Sequence, residues 1–241
     1  MNWNWYREES INTDTNLMDP RVIADYDRQM ARLQDTKLEF DRFISLVEPR
    51  PDWVVADFGC GTGEFSIRLS RICQSVYALD VSRPMLEFAA VKAAVAGIRN
   101  IKFIQAGFLS WEQPSDPLDA AVSCMALHHL PDFWKIAALR SVNSRMKDGG
   151  ILYLQDVVFS FPSGDYSRAF DNWVEQVGSA APGLRKSAEN HIRNEFSTTV
   201  GVMRSVIAES GFEIVYERRA GGFLGYFVCR KSPKNSGEGG V

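Results

Sequence analysis

The sequence predicts an α/β protein, a doubly wound, mostly parallel sheet of seven strands whose last strand runs antiparallel. Three observations lead there. From Trp53 onward, short apolar runs alternate with stretches of helical periodicity, the pattern of a parallel sheet with right-handed crossovers and helices on both faces. The run Val54-Val55-Ala56 ends in Asp57 and breaks into Gly59-Cys60-Gly61-Thr62-Gly63, a buried strand that stops at its carboxyl end and turns tightly into a helix. The next apolar run, Ser75 to Leu79, also ends in an acid, Asp80. Two acids at adjacent strand ends, about one βαβ unit apart, are hard to explain by structure alone.

Taken in order, residues 1–18 are polar with three aromatics, Trp3, Trp5 and Tyr6. Asp19-Pro20 then reads as an N-cap and first helical residue. Val22, Ile23, Tyr26, Met30 and Leu33 recur at helical spacing, which predicts an amphipathic helix. A second helix is expected from Asp35 to Glu48, with Leu38, Phe43, Leu46 and Val47 facing inward, until Pro49-Arg50-Pro51 breaks it. Both precede the first strand, so residues 1–48 are expected to form a lid over the site. Strands follow near 53–57, 75–79, 101–105, 118–124 and 150–156, and helices near 64–73, 82–96, 132–146 and 197–210. Phe212–Arg219 and Phe223–Arg230 are strand-like runs joined by Ala220-Gly221-Gly222, a hairpin signal. The core domain is therefore 49–230. Residues 157–196 are too long for a crossover loop and read as an inserted cap, with a helix marked by Phe170, Trp173, Val174 and Val177 and broken by Ala180-Ala181-Pro182-Gly183. The tail 231–241 is rich in Gly, Ser and Lys and is expected to be disordered.

The glycine loop narrows the ligand. Its spacing is Gly-x-Gly-x-Gly, lacking the Gly-x-Gly-x-x-Gly of dinucleotide sites and the Gly-Lys-Ser/Thr of a P-loop. No Lys or Arg lies in the loop to meet a phosphate. A nucleoside without phosphates suits it, and S-adenosylmethionine (SAM) is the obvious one. Asp80 is placed to bind ribose hydroxyls. After it, Ser82 is a plausible N-cap and Pro84 sits in a first helical turn.

These residues carry a resemblance. The segments VVADFGCGTGEFSIRLS, VYALDVSRPMLEFA, IKFIQAGFLSW, LDAAVSCMALHHLPD and LRSVNSRMKDGGILYLQDV, in that order, resemble a class I SAM-dependent methyltransferase of the small-molecule type, over roughly residues 35–230. The resemblance implies a Rossmann-like methyltransferase fold, with the Asp57–Gly63 loop around the methionine moiety and Asp80 on the ribose. The cofactor residues it suggests are Asp57, Gly59, Cys60, Gly61, Gly63, Asp80, Val81, Met85, Gly107, Phe108 and Met125, with S-adenosylhomocysteine (SAH) as product. One departure stands out. Where many members carry an Asp that touches the adenine amine, this chain has Gly107 in Ala106-Gly107-Phe108. Backbone groups and the Phe108 ring are the candidates for that contact.

Methyl transfer from SAM is an in-line displacement, and a general base is needed only if the acceptor arrives protonated. The segment Ser123 to Asp132 leaves the fourth strand at its carboxyl end and holds two of the chain's three histidines, His128 and His129. Either titrates near neutral pH. Two readings stand: a base or substrate contact, or backbone hydrogen bonding and capping of the helix near Asp132. A metal held by this pair and a carboxylate is disfavoured, because adjacent histidines on one turn rarely point at one ion. Asp156 ends the fifth strand, where it binds an amine acceptor or closes a turn. His191 precedes a helix that Ser197 could cap, which favours a surface or capping role. Aromatic residues before the sheet and in the cap (Phe159, Phe161, Tyr166, Phe170, Trp173) flank the expected acceptor mouth, as acceptor walls or as core of lid and cap.

Bulk properties bound the rest. The chain has 241 residues, 27 basic and 30 acidic, for a net charge of −3. No basic block marks a nucleic-acid surface. There is no signal-peptide pattern or run of ~18 apolar residues. Four cysteines lack any Cys-x-x-Cys pairing, which suits a reduced, cytoplasmic setting. The expected enzyme acts on a small-molecule acceptor without nucleic acid, membrane or metal, as a monomer or homodimer. Alternatives are a methyltransferase of RNA or protein and a SAM-binding protein without turnover, with spermidine-synthase-like chemistry a distant third.

Overall fold

The computed structural model describes residues 7–9, 23, 27, 28, 30, 32, 35–112 and 116–232. Ile23, Asp27, Arg28, Met30 and Arg32 are helical; the rest of the first expected helix, the aromatics Trp3, Trp5, Tyr6 and Tyr26, and residues 233–241 of the expected tail lie outside the described residues. Helix α1 (Thr36–Val47) is capped by the Asp35 carboxylate, which accepts from the Lys37 and Leu38 N–H groups at 3.1 and 3.0 Å. Then come β1 (Val54–Phe58), α2 (Glu64–Leu69), β2 (Ser75–Asp80), α3 (Arg83–Val95), β3 (Ile101–Gln105) and β4 (Leu118–Cys124). A 3-10 turn at Leu127–His129 leads to α4 (Asp132–Ser144) and the long β5 (Met146–Phe159). The cap holds α5 (Tyr166–Ala180) and α6 (Arg185–Asn194); β6 (Thr198–Thr199), α7 (Val200–Glu209), β7 (Phe212–Ala220) and β8 (Leu224–Lys231) complete the chain.

The sheet order is β3-β2-β1-β4-β5-β8-β7, with β6 paired to β5 off this path. The pairs from β3 to β5 are parallel, whereas β8 runs antiparallel to both β5 and β7. The last strand thus slots between two parallel neighbours. The chain folds this way because strand residues alternate between two apolar layers. Val55 and Val76 join Phe43 and Leu69 on one face, while Phe58, Tyr77 and Leu79 join α4 and α7 residues on the other. Between β1 and β4 the strand order reverses, and the carboxyl ends diverge into a crevice.

Several expectations need correction. Leu38 is 53% exposed, whereas α1 buries Phe43 and Val47 as expected and Phe40 besides; at 100° per residue Leu38 lies 140° around the helix from Phe43. Phe43 packs edge-on against Phe65 and Tyr153, at 5.1 and 5.2 Å between ring centroids, so α1 covers the sheet. The N-cap of α7 is Thr199, which accepts from Val202 N–H, rather than Ser197. The cap has a second helix, α6, whose charged sequence shows little apolar stripe. Lys231 closes β8 rather than opening a tail, its buried ammonium donating to the Met146 carbonyl at 2.7 Å. No described helix is long and apolar enough to cross a membrane.

Candidate active site

The loop after β1 is built by its glycines. Gly59, Gly61 and Gly63 have φ of +73°, +53° and +77°, conformations that side chains with a Cβ resist. At Gly59 a Cβ would lie 2.3 Å from the Ala126 Cβ, so the β4 exit packs directly on the loop. At Gly61 a Cβ would meet nothing within 4 Å, leaving backbone open to a ligand. Gly59 and Cys60 N–H groups donate to the Leu79 carbonyl at 2.8 and 2.9 Å, tying the loop to the end of β2.

Asp80 is held from both sides. Its Oδ2 accepts from Gly61 N–H and its Oδ1 from Ser82 N–H, each at 2.8 Å. Burial raises its pKa against the lowering effect of those bonds. Asp57, at the end of β1, is 1% exposed and accepts from the Ser66 hydroxyl at 2.6 Å. Burial and then the nearby Asp80 charge, opposed by the Ser66 bond, bring it up to about 7.

Two cavities flank the loop and share Gly59, Gly61, Cys124 and Met125 as common wall. The first also meets Asp80, Val81, Met85, Gly107 and Phe108. The second meets Asp57 and Cys60. Met125 has a φ of +59°, a strained value for a side-chain-bearing residue. Phe108 stacks on Phe58 at 4.9 Å. Of the expected cofactor residues, Gly63 alone lines neither cavity; it starts α2 with its α-carbon facing Ala89. Among the described residues the first cavity has no Lys or Arg on its wall. The second has Arg68 on its wall, and two of its acids, Asp27 and Glu64, are bridged by Lys92 at 2.7 and 2.6 Å.

All three histidines meet in one buried cluster. His128 N–H donates to Asp156 Oδ2 at 3.0 Å, its Nδ1 pairs with Asp156 Oδ1, and its Nε2 lies 3.1 Å from Glu195. His191 pairs with Glu195 through Nδ1 and lies 2.6 Å from the Ser197 hydroxyl through Nε2. Asp156 lies buried inside β5 rather than at a turn, lines neither cavity and grips His128. His191 is buried rather than a surface residue. His128 and His129 do not cap α4, whose N-cap is Pro131. His128, His191 and Glu195 have the donor set of a metal site, within 4.8 Å of one another, but shared protons already link all three.

The cluster divides the two adjacent histidines. Burial alone would lower His128, but the Asp156 charge and bond, with Glu195, raise it to about 9. His129 goes the other way, down to about 4, through burial and the neighbouring His128 charge. His129 lines the first cavity, and its buried Nδ1 has no hydrogen-bond partner among the described residues. His128 lines neither cavity.

Sequence reasoning missed Glu195 and Glu9. The His191-x-x-x-Glu195 spacing, from the last turn of α6 to its C-cap, was the available signal for the first. Glu9 had none: its Oε2 accepts from Leu109 N–H, Ser110 N–H and the Ser110 hydroxyl at 3.1, 3.2 and 2.9 Å, from 100 residues away. The cap aromatics Phe159, Phe161, Phe170 and Trp173 pack with one another and Phe223 as the core of the cap, and line neither cavity.

A family model described as a methyltransferase domain matches residues 55–150, the span from β1 into β5. Over this span the chain is similar to class I SAM-dependent methyltransferases. Among its relatives, an uncharacterized methyltransferase of Geobacillus thermodenitrificans is 28% identical over 197 residues, covering 82% of this chain and 85% of the relative. One from Bacillus mycoides is 29% identical over 174 residues, 72% and 74% of the two chains. Magnesium protoporphyrin IX methyltransferase from Synechocystis, solved with SAH, superposes with a TM-score of 0.58 at 18% identity, covering 92% of this chain and 89% of that one. The glycine loop and second-strand acid stand at the switch point of the sheet.

Proposed function

We propose that this methyltransferase transfers a methyl group from SAM to a small-molecule acceptor by in-line SN2 displacement. The observation that carries the reading is the crevice between β1, β2 and β4. Two carboxylates and an open glycine backbone surround a ligand space whose first half has no cationic wall among the described residues. That chemistry fits a phosphate-free adenosyl sulfonium. Asp80 keeps acceptor capacity on oxygens already aimed by two backbone donors, which suits ribose hydroxyls. Gly61 lets the ligand approach the main chain, and Asp57 adds negative charge near the shared wall for the methionine end.

When bound, SAM supplies an activated methyl carbon; the carbon–sulfur bond breaks with its electrons staying on sulfur, and SAH leaves. The chain's own residues hold the groups in line and exclude water. His129, kept neutral in the working pH range, takes the proton that an amine, phenol or acidic carbon gives up as it attacks. His128, held protonated between two carboxylates, keeps its neighbour neutral and positions the turn. The lack of a basic block in the sequence favours a small acceptor over RNA.

Methyl-labelled SAM added with a cell extract tests this. Label should enter material that passes a membrane retaining protein and RNA. Label confined to the retained fraction would contradict the small-molecule reading, and SAH binding without label transfer would indicate a non-catalytic protein. His129→Ala should lower turnover about 10²–10⁴-fold, far more than it weakens SAH binding, and unchanged turnover would remove its role.

A further inference from the structure

We propose that Glu9, from a segment upstream of the whole sheet, supplies the carboxylate that reads the amino edge of the adenine ring. This rests on SAM occupying the first cavity. The observation is a spatial coincidence at Gly107. A Cβ on that residue would lie 2.3 Å from Glu9 Oε1, 2.4 Å from its Cδ and 2.5 Å from Oε2. The Glu9 carboxylate therefore fills the space in which a side chain at position 107 would begin. Gly107 is not among the positive-φ glycines, so backbone conformation does not demand glycine there. Room for Glu9 does.

The carboxylate is fixed rather than loosely placed. Leu109 N–H, Ser110 N–H and the Ser110 hydroxyl all donate to Oε2, and the Phe108 N–H also donates to the carboxylate. The same hydroxyl accepts from Gly107 N–H at 2.9 Å, which stiffens the loop around it. Upstream, the Arg7 guanidinium lies over the Phe196 ring at 5.2 Å, so the segment is pinned at two points. Oε1 carries the remaining acceptor capacity. Glu9 lines the first cavity with Met85, Phe108 and Asp80. Apolar groups there suit the faces of a flat ring, and Asp80 suits the ribose.

The chemistry gives a direction of selectivity. A buried carboxylate favours a ring edge that donates and penalises one that presents an oxygen. Adenine carries an amino group at its six position; hypoxanthine carries a carbonyl there. The site should prefer adenosyl over inosyl ligands, and the preference should reside in a residue outside the domain that surrounds the ligand.

Calorimetric titration of the full chain with SAH and S-inosylhomocysteine tests this on wild type, Glu9→Ala, Gly107→Asp and the double variant Glu9→Ala/Gly107→Asp. Wild type should prefer SAH by roughly tenfold or more. Glu9→Ala should bind SAH about tenfold more weakly and lose the preference. Gly107→Asp alone should also weaken SAH, because its side chain meets Glu9. The double variant should recover affinity and preference, since the acid now comes from the loop; that rescue separates a ligand contact from a folding defect. Glu9→Ala with wild-type affinity and preference, or a double variant no better than Glu9→Ala, would overturn the role of Glu9 while leaving the cofactor reading intact. Wild type binding neither ligand would overturn both.

Discussion

At the scale of single residues, His128 and His129 show environment outweighing identity. They are adjacent in sequence, with ring centroids 4.4 Å apart, yet one is raised to about 9 and the other lowered to about 4. The difference lies in which ring meets the carboxylates of Asp156 and Glu195. The linkage to stability has a definite sign. His128 gains protons on folding, so its contribution is full below about 6.5, its ordinary value, and is lost as pH rises toward 9. Asp156 and Glu195 are lowered, burial notwithstanding, by the histidines they pair with. Their contribution is full above the ordinary carboxylate range and is lost as pH falls below it. His129, lowered to about 4, contributes fully only above about 6.5 and loses that contribution as pH falls, so urea unfolding followed against pH should show stability from this cluster greatest near pH 6.5. His128→Gln should flatten the fall between pH 6.5 and 9, and an unchanged slope would show that the pair does not titrate this way.

At the scale of elements, the strand-to-helix turn after β1 separates packing from binding within one loop. Gly59→Ala places a methyl group 2.3 Å from the Ala126 Cβ at a φ of +73°. It should cost roughly 2–4 kcal/mol of unfolding free energy, from backbone strain and overpacking together. Gly61→Ala meets open space and should cost only about 1–2 kcal/mol, but its methyl group intrudes on the ligand. Denaturant melts should rank the two in that order, and SAH titration should show Gly61→Ala impaired; the reverse ranking would contradict the loop geometry. The same scale shows what was legible in the sequence. β1 to β5, the β7–β8 hairpin and the helices between them were readable because each is encoded by local periodicity and local turn residues. Asp57, Asp80 and the glycines were readable because the fold places strand ends at the crevice. Helix α6 was not, since its charged sequence carries little apolar stripe, and the inward face of α1 was misread at Leu38 because one exposed leucine sits off its stripe. The contacts that escaped notice are long-range: Asp156 to His128, Glu195 to the same ring, and Glu9 to Ser110. No local pattern records a meeting across 100 residues.

At the scale of the molecule, pieces from distant parts of the chain converge on one crevice. The β1 and β2 ends provide the acids, the β4 exit provides Met125 and His129, α1 provides Thr36 and Glu39, and the upstream segment provides Glu9. The four cysteines are free, and burial raises Cys73 to about 11 and Cys229 to about 12, so those two thiols pack as small apolar groups. The central claim is that the ends of the first two strands hold SAM. It is tested most directly by calorimetric titration of the purified protein with SAH, beside the Asp80→Ala variant. The account predicts saturable binding at one site, weakened by about 1.5–3 kcal/mol in the variant through loss of charge-assisted bonds. No heat of binding at millimolar SAH, or equal affinity in the two proteins, would contradict it.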